Sequence, residues 1–149
     1  MTTRVRAYVD IDAPVERVFA FFDDLDNAPR LNARILTIDR VEPLDNGGRR
    51  VEYTTEGRAG RAVDATSEHV EYDPPHRTVT RTEQSGVTTI STREFEAIGS
   101  GTRVIASIEW TAPVKHLARL VEFPLRRPLR DSLEVGLATA KREIEATTT

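Results

Sequence analysis

The feature that most constrains this chain is a change of hydrophobic period close to residue 112. From Ile35 to Thr111 the sequence reads as six short extended runs: Ile35 to Glu42, Val51 to Glu56, Ala62 to Tyr72, Arg77 to Glu83, Thr88 to Ile98 and Arg103 to Thr111. Turn-forming residues separate several of them: Asp45-Asn46-Gly47-Gly48, Asp73-Pro74-Pro75, Ser85-Gly86 and Gly99-Ser100-Gly101. Alternation with a turn signal about every 10–12 residues predicts an antiparallel meander. Beyond Ala112-Pro113 the period lengthens. Leu117, Val121, Leu125, Leu129, Leu133 and Leu137 recur every fourth residue, and Leu120, Ala140 and Ile144 widen the stripe. That spacing predicts an amphipathic helical region. Pro124 and Pro128 each remove a backbone donor. The expectation is a helix over Val114 to Glu122, a break, and a long helix to about Ala146.

The first residues repeat the strand pattern. Val5, Ala7, Val9 and Ile11 alternate with Arg6, Tyr8 and Asp10. Asp12-Ala13-Pro14 ends that strand, with Asp12 suited to capping and Pro14 to an early helical position. Val15, Val18, Phe19 and Phe22 then fall at helical spacing up to Asp24, and Leu25 to Asn32 adds a further short turn. The order of elements predicts an α+β domain over residues 1–149. A curved antiparallel sheet of about seven strands wraps around the long C-terminal helix, with one or two short helices after the first strand.

Composition removes several classes of function. The chain has 149 residues, enough to bury a core in one domain. Without cysteine there is no disulfide, thiolate metal site or cysteine nucleophile. A net charge of −3 gives no field for nucleic acid. Three scattered histidines, His69, His76 and His116, read as isolated surface residues rather than a metal site. No P-loop, dinucleotide fingerprint or nucleophile elbow is present, and Gly99-Ser100-Gly101 reads as a strand connection. No cofactor is expected. No apolar run reaches the roughly 20 residues that span a bilayer. The N-terminus lacks a signal-peptide pattern, so the expected location is cytoplasmic, without stable membrane insertion.

A sheet of this width is broader than one helix, and its twist leaves a gap between the layers. Such a gap is the default place for a small ligand. Gly136, in the middle of the leucine stripe, either opens that space for a ligand or permits close packing on the first helix.

Three stretches carry a resemblance that spans nearly the whole chain. They are Val9-Asp10-Ile11-Asp12-Ala13-Pro14-Val15-Glu16-Arg17-Val18-Phe19, Val70-Glu71-Tyr72-Asp73-Pro74-Pro75, and Gly99-Ser100-Gly101-Thr102-Arg103-Val104. In this order they resemble the superfamily of START lipid-transfer domains, bacterial polyketide cyclases/dehydrases and the birch-pollen allergen. The resemblance implies a helix-grip fold whose internal cavity takes lipids, polyketides or other hydrophobic molecules. Binders, carriers and enzymes share that fold. Relatives often carry tryptophan where Arg30-Leu31-Asn32 stands here, which alters one end of the pocket.

Candidate site residues follow from alternation on the expected strands. Val51 and Tyr53 place Thr55 on the inner face; Val70 and Tyr72 place Thr66 and Glu68 there. Phe95 brings Ser91 and Arg93 inward, and Val79 brings Arg81 and Glu83. The hairpin at Ser85-Gly86 tests these faces against each other. A two-residue loop puts Val79, Arg81 and Glu83 with Ile90 and Thr92, and a three-residue loop puts them with Ser91, Arg93 and Phe95. The expected ligand-binding set is Phe22, Tyr53, Thr55, Tyr72, Arg81, Ser91, Arg93, Phe95, Ile108, Trp110, Leu117, Val121, Leu129, Leu133 and Gly136. Arg81, Arg93, Glu68 and Tyr53 are the candidates for moving protons or holding an anionic oxygen. As alternatives, Arg81, Glu83 and Arg93 form an exposed charge ladder, and the basic residues Lys115, His116, Arg119, Arg126, Arg127 and Arg130 are a solvated face or a pocket entrance for anions.

Three functions fit this reading. The first is a binder or carrier of a hydrophobic small molecule. The second is a polyketide cyclase/dehydrase-like enzyme. The third is a sequestering, resistance or partner-interaction protein. As a partner for itself the chain is expected to be a monomer or a weak homodimer.

Overall fold

The computed structural model describes residues 2–111 and 115–147, with side chains described for 3–57, 59–111 and 127–147. Seven strands form one antiparallel sheet: β1 (Thr2–Ile11), β2 (Ile35–Pro43), β3 (Arg49–Glu56), β4 (Ala62–Asp73), β5 (Arg77–Gln84), β6 (Val87–Ile98) and β7 (Gly101–Thr111). Their order in space is β1-β7-β6-β5-β4-β3-β2. The meander from β2 to β7 is built of neighbours in sequence, and β1 closes onto β7 with Val5 opposite Ile108.

That order has a geometric consequence. β1 and β2 are consecutive strands at opposite edges of the sheet. The segment joining them contains α1 (Val15–Asp23), a 3₁₀ turn (Leu25–Asn27) and α2 (Ala28–Leu31). It must therefore cross the sheet from one edge to the other. α3 (Lys115–Ala146) packs on β1, β7, α1 and α2.

The core sits where α1 and α3 meet the β1–β7–β6 side. Ile11, Ala13, Val18, Phe19, Phe22, Phe95, Val104, Ala106, Leu137, Ala140 and Ile144 form one buried cluster. Each large aliphatic or aromatic side chain there contributes about 1.5–3 kcal/mol by leaving water. Phe95 meets Phe19 and Phe22 edge to face, with centroids 5.1 and 5.7 Å away. Polar contacts fasten the C-terminal end of α3. Glu145 accepts from the Asp12 amide at 2.9 Å, and Lys141 Nζ donates to the Asp10 carbonyl at 2.6 Å.

Three expectations change. α3 runs unbroken from Lys115 to Ala146, through Pro124 and Pro128. Proline's fixed φ is itself helical, so the helix can continue through each ring with the loss of a backbone donor. On β4 a bulge lies between His69 and Glu71. The extra residue shifts the alternation, so Tyr72 shares a face with Ser67 and His69, while Thr66 and Glu68 face outward. The β5–β6 hairpin has the two-residue loop Ser85-Gly86, with φ of 52° and 76°. Two positive φ values give the turn that matches strand twist. Thr78 therefore pairs with Arg93 and Thr80 with Ser91 on the inner face, leaving Val79, Arg81 and Glu83 on the outer one.

Candidate functional site

Between the crossing segment and the sheet lies a cavity of about 250 Å³. Its two walls differ in chemistry. The helical wall supplies Phe19, Phe22, Leu25, Ala28 and Leu31, and β2 adds Ile35 and Ile38. The sheet wall supplies Val51, Tyr53, Ser67, His69, Thr78, Thr80, Thr82, Ser91, Arg93 and Phe95. Asp23, Asp24, Asn32 and Arg49 complete the lining. One side is apolar; the other is largely a field of hydroxyls with two basic side chains.

The hydroxyls are ordered among themselves. Ser67 Oγ donates to Tyr53 Oη at 3.1 Å and shares a 2.6 Å hydrogen bond with Thr82 Oγ1. At the other end a polar cluster joins α1 to the sheet. Tyr72 Oη donates to Asp23 Oδ2 at 2.8 Å. Arg49 Nη2 lies 3.4 Å from Asp23 Oδ1 and also donates to the Asp23 carbonyl. Burial, and after it the bond to Asp23, raise the Tyr72 pKa above its ordinary value. His69 Nδ1 accepts from the Arg49 amide at 3.1 Å, and its ring lies 4.9 Å from that of Tyr72. Burial lowers the His69 pKa, the Arg49 and Arg93 charges lower it further, and Asp23 opposes them.

Arg93 differs from every other charged residue at the site. Its guanidinium stands over the Phe22 ring, 5.2 Å from the centroid. Burial lowers its pKa, with the Asp23 charge opposing. Among the described residues it has no hydrogen bond or ion pair. Arg49 Nε, by contrast, is sealed from solvent without a partner among the described residues. The sheet wall thus carries donors with no protein acceptor, and a charge that an acidic oxygen would satisfy.

The residues singled out from sequence fall into distinct places. Phe22, Tyr53, Ser91, Arg93 and Phe95 line the cavity. Tyr72 packs beside the core, outside the lining, and touches the lining residues Asp23, His69 and Phe19. Thr55 is buried at 4% exposure, outside the lining. Arg81 is exposed and ion-paired with Glu83 at 2.7 Å, and Glu68 sits opposite it on the outer face. Trp110, buried, and Ile108 share the inner face of β7 away from the cavity. Leu133 packs against the core, and Leu129 is half-buried away from the lining. Leu117 and Val121 lie outside the residues with described side chains. Of the two readings of Gly136, open space fails: a Cβ there would lie 2.8 Å from the Leu31 carbonyl oxygen. The glycine lets α3 touch the backbone of α2, and the described part of α3 lines none of the cavity.

Sequence reasoning missed Asp23, Arg49, Ser67, His69 and the threonine row. For the row a signal existed. Thr78, Thr80 and Thr82 alternate with Val79, Arg81 and Glu83, and the face with two charges is the better candidate for solvent. His69, read as a surface residue, faces inward with Ala65 and Ser67, and the bulge beyond it, which has no signature in the residues themselves, hides this when alternation is counted back from Tyr72.

A family model described as polyketide cyclase / dehydrase and lipid transport matches residues 2–145. The chain belongs to this family. No curated protein matches it significantly. Among solved structures it is similar to TTHA0849 from Thermus thermophilus, at TM-score 0.79 and 21% identity over 99% of this chain and 100% of that one. It is also similar to the Zhui aromatase/cyclase from Streptomyces sp. R1128, at TM-score 0.72 and 16% identity over 99% of each chain. Ara h 8.0201 matches at TM-score 0.67 and 14% identity, over 94% of this chain and 98% of that one. At these identities the likeness is one of fold, the helix-grip arrangement of a curved seven-stranded sheet with a C-terminal helix. Among the described residues no helix is long and apolar enough to cross a membrane.

Proposed function

We propose that this family member binds a small, mostly apolar molecule carrying an acidic or strongly accepting oxygen, such as a carboxylate, phenolate or enolate. The observation that carries the reading is Arg93, a cation on the cavity wall with no ion pair among the described residues. The two-sided lining agrees with it. An aromatic or lipid-like body lies against Phe19, Phe22 and Leu31, and its oxygens meet the hydroxyls of β3 to β6. A volume of about 250 Å³ sits just below the roughly 300–1,000 Å³ usual for ligand pockets. The guest is therefore small, of one or two fused rings or a short chain.

The second reading, cyclase/dehydrase-like chemistry, is favoured by the Asp23–Tyr72–Arg49 cluster beside His69. Placing an enolisable carbon between polar donors and a fixed carboxylate is the kind of positioning such chemistry needs.

Calorimetry with 2-naphthoate and its neutral analogue 2-naphthamide tests the binding reading. The wild type is expected to prefer the carboxylate, and Arg93→Met to lose that preference by about 10-fold or more, as befits one charged hydrogen bond. Equal binding of both probes by the wild type, or an unchanged preference in Arg93→Met, contradicts it.

A further inference from the structure

His69 stands out because three separate features of the chain set its orientation. His69 alternates with Ala65 and Ser67 on the inner face of β4, opposite Thr80, and the bulge after it brings Tyr72 to the same face. Gly48 leaves the space the ring occupies: a Cβ there would lie 2.5 Å from His69 Cβ and 2.7 Å from Nδ1. The next amide, Arg49 N–H, donates to Nδ1 at 3.1 Å. Asn46 fastens the same corner, donating from Nδ2 to the His69 carbonyl at 2.8 Å and accepting the Gly48 amide at 2.8 Å.

An imidazole nitrogen that accepts from an amide carries no proton, so in the neutral ring the proton sits on Nε2. Nε2 has no partner among the described residues, and it is not one of the sealed polar atoms without a partner, which are Arg49 Nε and Glu143 Oε2. It is therefore reached by solvent, on a residue that lines the cavity. The charged and titratable groups facing the ring are Asp23 from α1, Arg49 from β3, Arg93 from β6 and Tyr72 on its own strand. Burial, with two cations against one carboxylate, favours the neutral ring.

We propose that His69 is a tautomer-locked hydrogen-bond donor, presenting Nε2–H to a carbonyl, carboxylate or enolate oxygen of the guest, with Gly48 and the Arg49 amide as its positioning elements. The proposal deepens the binding reading and rests on it. It assigns His69 the role of an electrophile that steadies developing negative charge. A general base would need a free lone pair on Nε2, which this tautomer lacks.

Nitrogen-15 NMR of histidine-labelled protein tests the assignment between about pH 5.5 and 8, the window in which an ordinary histidine titrates. The expected free-protein spectrum shows His69 with a bare Nδ1 and a protonated Nε2 at neutral pH. Adding 2-naphthoate should shift the His69 Nε2 signal. His69→Gln, whose amide can both accept and donate, should keep 2-naphthoate affinity within about 3-fold, and His69→Leu should lose roughly 10-fold, one hydrogen bond to a charged group. A proton on Nδ1, an imidazolium at neutral pH, or full affinity in folded His69→Leu overturns the proposal. In uniformly labelled protein, a probe that shifts Arg93 and Ser91 but not His69 overturns it while leaving the binding reading intact. A probe that shifts nothing along the cavity walls overturns the binding reading, and the role of His69 with it. Should His69→Leu fail to fold, the wild-type tautomer and the Nε2 shift still decide.

Discussion

The two halves of this sheet are built from the same kind of strand and do opposite things. On the β1–β7 side, inward positions are Val5, Ile11, Val104 and Ala106, and α3 closes over them with Leu137, Ala140 and Ile144. On the β3–β5 side, inward positions are Tyr53, Ser67, His69, Thr78, Thr80 and Thr82, roofed by short helices that leave a gap. Among the described residues, β1, β7 and α3 pack the core and line none of the cavity. The second half gives up that packing and keeps polar groups whose partners are incomplete. β6 spans the boundary, with Phe95 in the core and Arg93 in the cavity, one alternate position apart. The difference teaches that stability and binding are divided across the sheet rather than mixed along it.

The division can be broken most forcefully from the sealed side. Ile144→Ala removes a side chain at 2% exposure and should cost about 2–5 kcal/mol in urea unfolding, with 2-naphthoate affinity unchanged in the folded fraction. Gly136→Ala, which pushes a Cβ against the Leu31 carbonyl, should cost about 1–3 kcal/mol by the same measurement. Arg93→Met should reverse the pattern, with weakened carboxylate binding and a stability within about 1 kcal/mol of wild type, because it removes a cation with no ion pair among the described residues.

A pH scan sharpens the comparison further. The His69 pKa is depressed in the folded protein, so below its ordinary value near 6.5 the unfolded chain takes up the proton first. The contribution to stability is whole above that value and is lost as pH falls toward the folded pKa. His69→Gln should flatten this part of the curve. Smallest of all, Arg81→Ala on the outer face should change stability by less than about 0.5 kcal/mol and leave 2-naphthoate binding untouched.

The fold was legible because it rests on periodicity. The strand runs, the turns and the leucine stripe of α3 are read from residues a few positions apart. The site was legible only in part, because facing depends on register. Tyr53 and Arg93 lie on strands with unbroken alternation near the site, and both line the cavity. Glu68 faces outward because of the bulge beyond His69, and Arg81 and Glu83, whose facing the residues leave open, form an exposed pair on the outer face. Asp23 and Arg49 meet across a distance in sequence that no local pattern spans. The roof itself follows from β1 and β2 lying at opposite edges, a fact of topology rather than composition.

Mapping backbone amide shifts as 2-naphthoate is added tests the division most directly. The account predicts shifts at Phe22, Ser67, His69, Thr80, Ser91 and Arg93, with Val5, Val104, Ala140 and Ile144 still. Shifts gathered on β1 and α3, or on the outer face around Arg81 and Glu83, would contradict it.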